Sequence, residues 1–248
     1  MTGQDRGVSA ISPYNRHVER KHEVTRLEGF SDAVFGFALT LLVVSLEVPQ
    51  NFLELQNLLR GFLPFALMFA MICWIWYEHQ QFFRRYGLQD ALTITLNCFL
   101  LFVVLFYVYP LKYLTMSLIG PIVHMTPESL PETSSGDGVL LLYSSGVVLI
   151  FGTFVALYLR AWRQRDAIGL TTEEQITLRS GMRGHLISAG LGVLSILIVE
   201  IARWTDRGWL VMVAGFSYAL MGPLHAWNGH AASRAVAALR KKGHVARS

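Results

Sequence analysis

Six stretches of the chain are almost continuously apolar, and polar residues collect between them. A helix crosses the hydrocarbon core of a bilayer with about 20 apolar residues. By that measure the pattern predicts six transmembrane helices, at roughly 29–48, 59–80, 90–111, 138–160, 184–203 and 208–227. Two of these signals are weaker. Glu200 and Arg203 shorten the fifth, and Gly222 with Pro223 interrupts the sixth near its end. The connections predict a short polar turn at 49–58, another at 81–89 and a Pro-, Ser- and Gly-rich loop at 112–137. The polar 161–183 segment has room for a short surface helix, with TTEEQ as its start. The chain thus divides into an N-terminal segment at 1–25, a six-helix membrane domain at 26–227 and a basic tail at 228–248 that is helical or disordered.

Composition agrees with this pattern. Of the 248 residues, 53% are hydrophobic and 15% charged, against about 25% charged in ordinary soluble domains. The fold class expected is an all-α membrane protein. Cys73 and Cys98 fall inside apolar runs and read as small buried hydrophobes. The first 25 residues hold no apolar run and no cleavage site of a secretory leader. Charge then predicts orientation. Seventeen of the 21 Lys and Arg lie in the N-terminal segment, the 81–89 turn, the 160–183 loop and the tail; Arg60, Lys112, Arg203 and Arg207 lie in the alternate segments. The excess of positive charge on the cytoplasmic side of membrane proteins places both termini in the cytoplasm. The basic residues are scattered among loops, not gathered on one face, which excludes nucleic acid as a partner.

Polar residues inside the apolar runs carry the functional signal. On the first predicted helix, Phe37, Leu41 and Val44 follow at i, i+4 and i+7 and share a face, with Thr40 beside it. Ordinary packing against lipid or a neighbouring helix explains such a stripe equally well. Ser31 and Asp32 near the start of that helix read as a buried polar clamp, with Arg26 close by, and a functional role does not conflict with that. On the second helix, Trp76 and His79 share a face and Glu78 looks elsewhere; an aromatic belt is one account, and His79 bonding to Asp32 is a sharper one. Asn97 sits in apolar sequence on the third and is expected to hydrogen-bond a neighbour, with Asp90 capping that helix. Glu200, His185 and His225 are expected near span ends. The histidines lack ligand spacing, no nucleophile or nucleotide-binding motif occurs, and the potassium-filter string TVGYG is absent.

Arg26 followed by Phe30-Ser31-Asp32 resembles the R-x-x-x-F-S-D signature of the transmembrane protein 175 family, the endosomal and lysosomal potassium channels and their prokaryotic homologues. Trp76-Tyr77-Glu78-His79 is similar to the family's W-x-x-H, and the likeness extends to Asn97 and Pro110. The resemblance implies a non-canonical potassium channel without a P-loop selectivity filter and no enzyme activity. One six-helix unit per subunit resembles the prokaryotic form, a homotetramer in the cell membrane. It also implies that the first helices of four subunits line the pore, with Phe37, Leu41 and Val44 as apolar rings and Thr40 linked to potassium preference. Arg26, Phe30, Ser31, Asp32, Trp76, His79 and Asn97 then match an interhelical polar network that holds the pore helix. The partners implied are potassium ions as the permeant species, further copies of the chain and the lipid bilayer, with no cofactor and no structural metal. Two positions depart from the family pattern: Phe37 replaces a branched aliphatic residue, and Gln80 stands where a second histidine often follows. A proton-coupled secondary transporter and a non-conducting membrane scaffold or sensor are the alternatives.

Overall fold

A computed structural model describes residues 24–46, 48–125 and 136–245. Most of the predicted N-terminal segment, Glu47, the Pro- and Ser-rich part of the 112–137 loop and the last three residues of the tail lie outside the described residues. The elements are helices α1 (Arg26–Val44), α2 (Phe52–Arg60), α3 (Phe62–Tyr86), α4 (Ala91–Ile119), α5 (Gly136–Arg163), α6 (Thr172–Thr205), α7 (Trp209–Phe216) and α8 (Met221–Val245), with a 3₁₀ turn at Ser217–Leu220 joining the last two. Among the described residues, six segments are long and apolar enough to span a membrane: α1, α3, α4, α5, α6 and the stretch Trp209–Lys241. The protein is a multi-pass membrane protein of all-helical fold.

Several helices outrun their hydropathy. The FFRRYG stretch, expected as a turn, continues α3 to Tyr86 because Phe82, Phe83 and Tyr86 are buried against the core and their rings pack on one another and on Tyr158. The stop comes at Gly87, whose φ of 59° is the left-handed conformation that ends helices. The 49–58 connection is largely helix α2, started by Asn51, whose side chain accepts from the Glu54 N–H at 2.9 Å. TTEEQ does start a helix, through a capping box between Thr171 and Glu174. That helix is not a short surface element: it runs unbroken into the fifth span. At 34 residues α6 is about 50 Å long, more than a bilayer core needs. The sixth span is interrupted, as expected, but just before Gly222 and Pro223, by the 3₁₀ turn at Ser217–Leu220; Pro223 itself is the third residue of α8, where its missing N–H breaks no bond within that helix.

α1 packs on α3 and α4, α4 packs on α5, and α5 through α8 pack together. One core runs through both groups, from Phe35, Leu42 and Met68 across Leu100 and Val104 to Phe154, Leu157 and Leu178. Small residues permit the closest approaches, as in other membrane bundles. The Tyr107 ring lies across Gly146, and Tyr158 across Gly181, where no Cβ would fit. Polar contacts also join the groups, among them the hydroxyls of Tyr107 and Ser145 at 2.7 Å. Arg160 reaches Asp90 at 3.1 Å, and His185 Nε2 lies 3.7 Å from Glu78. Asp90 caps α4 as expected. Its partial burial pushes the carboxyl upward, but hydrogen bonds from Thr93 and Arg160 outweigh that and hold it below the usual carboxylate range. His185 and Cys98 differ from expectation. His185 is buried and stacked on Phe154 because α6 starts well before it, and Cys98 is exposed on the outer face of α4.

Candidate pore helix and its polar support

α1 has two faces of opposite character. Thr25 starts it with a capping box, accepting from the Glu28 N–H while the Glu28 carboxylate accepts from the Thr25 N–H. Ser31, Phe35, Ala38 and Leu42 then recur at helical spacing and are buried. The opposite arc carries Gly29, Asp32, Ala33, Gly36, Phe37, Thr40, Val43 and Val44, all exposed within the subunit. Phe37 is 56% exposed and Val44 72%, against 0% for Ala38 and Leu42. Leu41 sits at the edge between the faces, half-buried against the core.

The buried face is held by a chain of hydrogen bonds across three helices. His79 Nε2 on α3 donates to Asn97 Oδ1 on α4 at 2.6 Å. Asn97 Nδ2 donates to Ser31 Oγ on α1 at 2.9 Å, and Ser31 Oγ donates to the Leu27 carbonyl at 2.8 Å. The acceptor at Asn97 requires the proton on Nε2, so in the neutral imidazole Nδ1 of His79 is a bare lone pair. It is buried and has no hydrogen-bond partner among the described residues. The Phe35 and Phe83 rings flank the imidazole, 5.5 and 4.6 Å away between centroids. The side-chain polar atoms of Asn97 and Ser31 in this relay all have partners, Ser31 Oγ both accepting and donating, as burial in an apolar bundle demands.

Asp32 takes a different partner from the one anticipated. Its Oδ1 accepts from the Trp76 indole N–H at 2.7 Å, while His79 turns inward to Asn97. Trp76 and His79, three residues apart on α3, thus grip α1 at two neighbouring points. Glu78 faces away from α1, toward His185 on α6. Arg26 and Phe30, grouped with these residues by sequence, make no hydrogen bond or ion pair among the described residues, and Phe30 is exposed. Thr40 Oγ1 donates to the Gly36 carbonyl one turn back at 2.9 Å. Its proton is thereby spent on its own helix, and the residue is exposed within the subunit.

The sequence reading passed over the small residues of the exposed arc. Gly29, Ala33 and Gly36 precede Thr40 at intervals of four, three and four, a spacing visible in the letters alone. A Cβ placed on Gly29 or Gly36 would meet nothing within 4 Å, so nothing in the subunit requires glycine there.

Residues 26–107 match the family model described as the endosomal/lysosomal potassium channel TMEM175. A potassium channel of Marivirga tractuosa is 38% identical over 213 residues, which span 83% of this chain and 86% of that one. Among solved structures, the fold matches a threonine-to-alanine variant of the potassium channel MtTMEM175, crystallised with a nanobody–MBP fusion protein. The TM-score is 0.75 at 35% identity, over 87% of this chain and 96% of that one. A lysosomal potassium-selective channel TMEM175 homologue from Chamaesiphon minutus shares the fold at a TM-score of 0.51 and 23% identity, over 79% of this chain and 96% of that one.

Proposed function

This chain belongs to the TMEM175 family of potassium channels, and from that premise we propose that it conducts potassium passively, as four copies whose first helices line one axial pore. The observation that carries this reading is the composition of the exposed arc of α1. A lipid-facing surface wants uniform apolar bulk, and a carboxylate there costs several kcal/mol. This arc instead combines an acid, small residues, a hydroxyl and two bulky apolar positions. Asp32 suits a wet mouth. Gly29, Ala33 and Gly36 let neighbouring helices approach closely. Phe37, Leu41 and Val44 form successive apolar rings. A narrow apolar neck loses its water and becomes a barrier, so conduction requires the neck to widen.

Thr40 lies between the first two rings. Four such hydroxyl oxygens replace part of the hydration a potassium ion sheds in the neck. With no stack of carbonyl rings behind them, the selectivity over sodium is moderate. The Ser31–Asn97–His79 chain and the Trp76–Asp32 bond support the helix from behind, so the rings keep their depth while the outer arc faces the axis. The excess of basic residues in alternate segments supports cytoplasmic termini, and the bacterial relatives support the cell membrane as the location.

Flux from proteoliposomes under bi-ionic potassium and sodium gradients tests the proposal. The wild-type protein is expected to give a reversal potential on the potassium side, and Thr40→Ala to move it toward zero. Flux equal to that of empty vesicles, or saturable flux coupled to a second ion, overturns the channel reading. An unchanged reversal potential in Thr40→Ala overturns the role of Thr40.

A further inference from the structure

Helix α1 has no basic residue in its last turn and ends without a left-handed cap at Ser45. Its final carbonyls nevertheless find donors. The Ser45 N–H serves the Leu41 carbonyl at 3.0 Å, the Ser45 hydroxyl that of Leu42 at 2.6 Å, and the Leu46 N–H that of Val43 at 3.0 Å. All of these are local. The carbonyl of Ser45, at the C-cap, accepts from a different helix: Lys112 Nζ on α4 reaches it at 2.7 Å. An ammonium there meets the negative end of the α1 dipole, where a cation is stabilised. It also makes a charge-assisted hydrogen bond, stronger than a neutral one.

The site suits a charged side chain. Lys112 lies two residues beyond Pro110 in α4 and is half-buried. Its stem lies among helices, and it lines an open cavity with Ser45, Gln50, Glu54 and Asn57. The side chain thus borders an open, polar-lined cavity while its ammonium holds the helix end. At its other end α1 is tied twice, through Ser31 and Asp32. Among the described residues, Lys112 supplies the side-chain hydrogen bond that another helix makes to its final turn.

We propose that Lys112 is the positioning residue for the outer end of the pore helix, setting how tightly the Val44 ring closes. This rests on the reading that α1 lines the pore. Val44 immediately precedes Ser45, so movement of the Ser45 carbonyl carries Val44 with it, whereas Phe37 and Thr40 lie one to two turns deeper and stay pinned. Loss of the tie loosens the outer ring and leaves ion preference in place.

The test is the rate at which an uncharged methanethiosulfonate blocks potassium current in Val44→Cys channels in proteoliposomes. The parent protein, with Cys73 and Cys98, serves as the background. An uncharged reagent removes any direct effect of the ammonium on reagent approach. Lys112→Met is expected to raise the blocking rate roughly tenfold, the order that one charge-assisted hydrogen bond supports. Lys112→Arg, which keeps charge and donor, is expected to restore the slow rate, and the potassium-to-sodium reversal potential should not change. Should Lys112→Met fail to assemble, Lys112→Gln is read in its place. Equal blocking rates with and without the lysine overturn the inference while leaving the pore reading standing. A reversal potential that shifts with Lys112→Met also overturns it. A reagent that modifies Val44→Cys but leaves current untouched in every background overturns the pore reading itself, and the inference with it.

Discussion

A phenyl ring at position 37 is wide, flat and free to rotate about two torsions, and on this subunit nothing holds it. In the proposed four-helix neck it would close the first apolar ring by bulk, where an aliphatic side chain would close by length. Phe37→Asn exchanges that bulk for a smaller group that binds water. It is expected to raise single-channel conductance severalfold by keeping the neck wet; an equal or lower unitary current would count against an axial position. Asn97 is the residue whose loss should hurt the subunit most. It donates to Ser31 and accepts from His79, so Asn97→Leu leaves the buried His79 Nε2 without a partner and removes one of the two bonds of Ser31 Oγ. The expected cost is about 1–3 kcal/mol, seen as a lower midpoint of thermal unfolding, with Ser31→Ala milder because Asn97 keeps His79. A midpoint equal to wild type would show that the chain of bonds contributes nothing net.

The elements follow local chemistry as well as apolar content. α4 begins at Asp90 because its carboxylate accepts from the Thr93 N–H and hydroxyl, and Arg160 of α5 then fastens that turn to the next helix. The carboxyl is held below its ordinary range, so this contribution is complete above the unfolded value of about 3.9 and fades as pH falls through the folded one. Asp90→Asn keeps a capping oxygen but removes the charge that Arg160 meets, and is expected to lower stability by up to about 1 kcal/mol near neutral pH. The gap from wild type should close as the pH drops below about 4. A gap that persists at pH 3, measured by unfolding in detergent, would assign the effect to packing and not to charge. Hydropathy predicted the α3 and α6 spans but placed their ends short. The missing turns are held by Phe82, Phe83 and Tyr86 in one case and by a capping box followed by buried Leu178 in the other.

At the scale of the whole molecule, the subunit has two layers of contact joined through α4 and α5, and it leaves one arc of α1 bare. Gly36 lies at the middle of that arc, with open space around it. Gly36→Leu therefore gives the isolated subunit nothing to clash with, and the exchange even removes a residue that weakens helices. If four first helices meet at an axis, the same change obstructs their approach. The expected result is a subunit with unchanged helicity that runs as a smaller assembly in size-exclusion chromatography and passes no potassium. A tetramer of full size and current would place the arc against lipid.

The letters alone determined the six spans, the alternation of basic loops and the signature residues on α1, α3 and α4, because long apolar runs and short local motifs are one-dimensional properties. They also held the capping residues Thr25, Asp90 and Thr171, since a cap acts within three residues of itself. The tertiary structure decided which polar residue meets which. Asp32 and His79 were both available to each other by type and depth, and only the packing of α3 against α1 and α4 gave Trp76 to the acid and Asn97 to the imidazole. It likewise brought Lys112 to Ser45 across 67 positions of sequence, a pairing with no local trace. Hydrogen bonds between helices depend on rotation and depth to within about an ångström, and a hydropathy pattern carries neither.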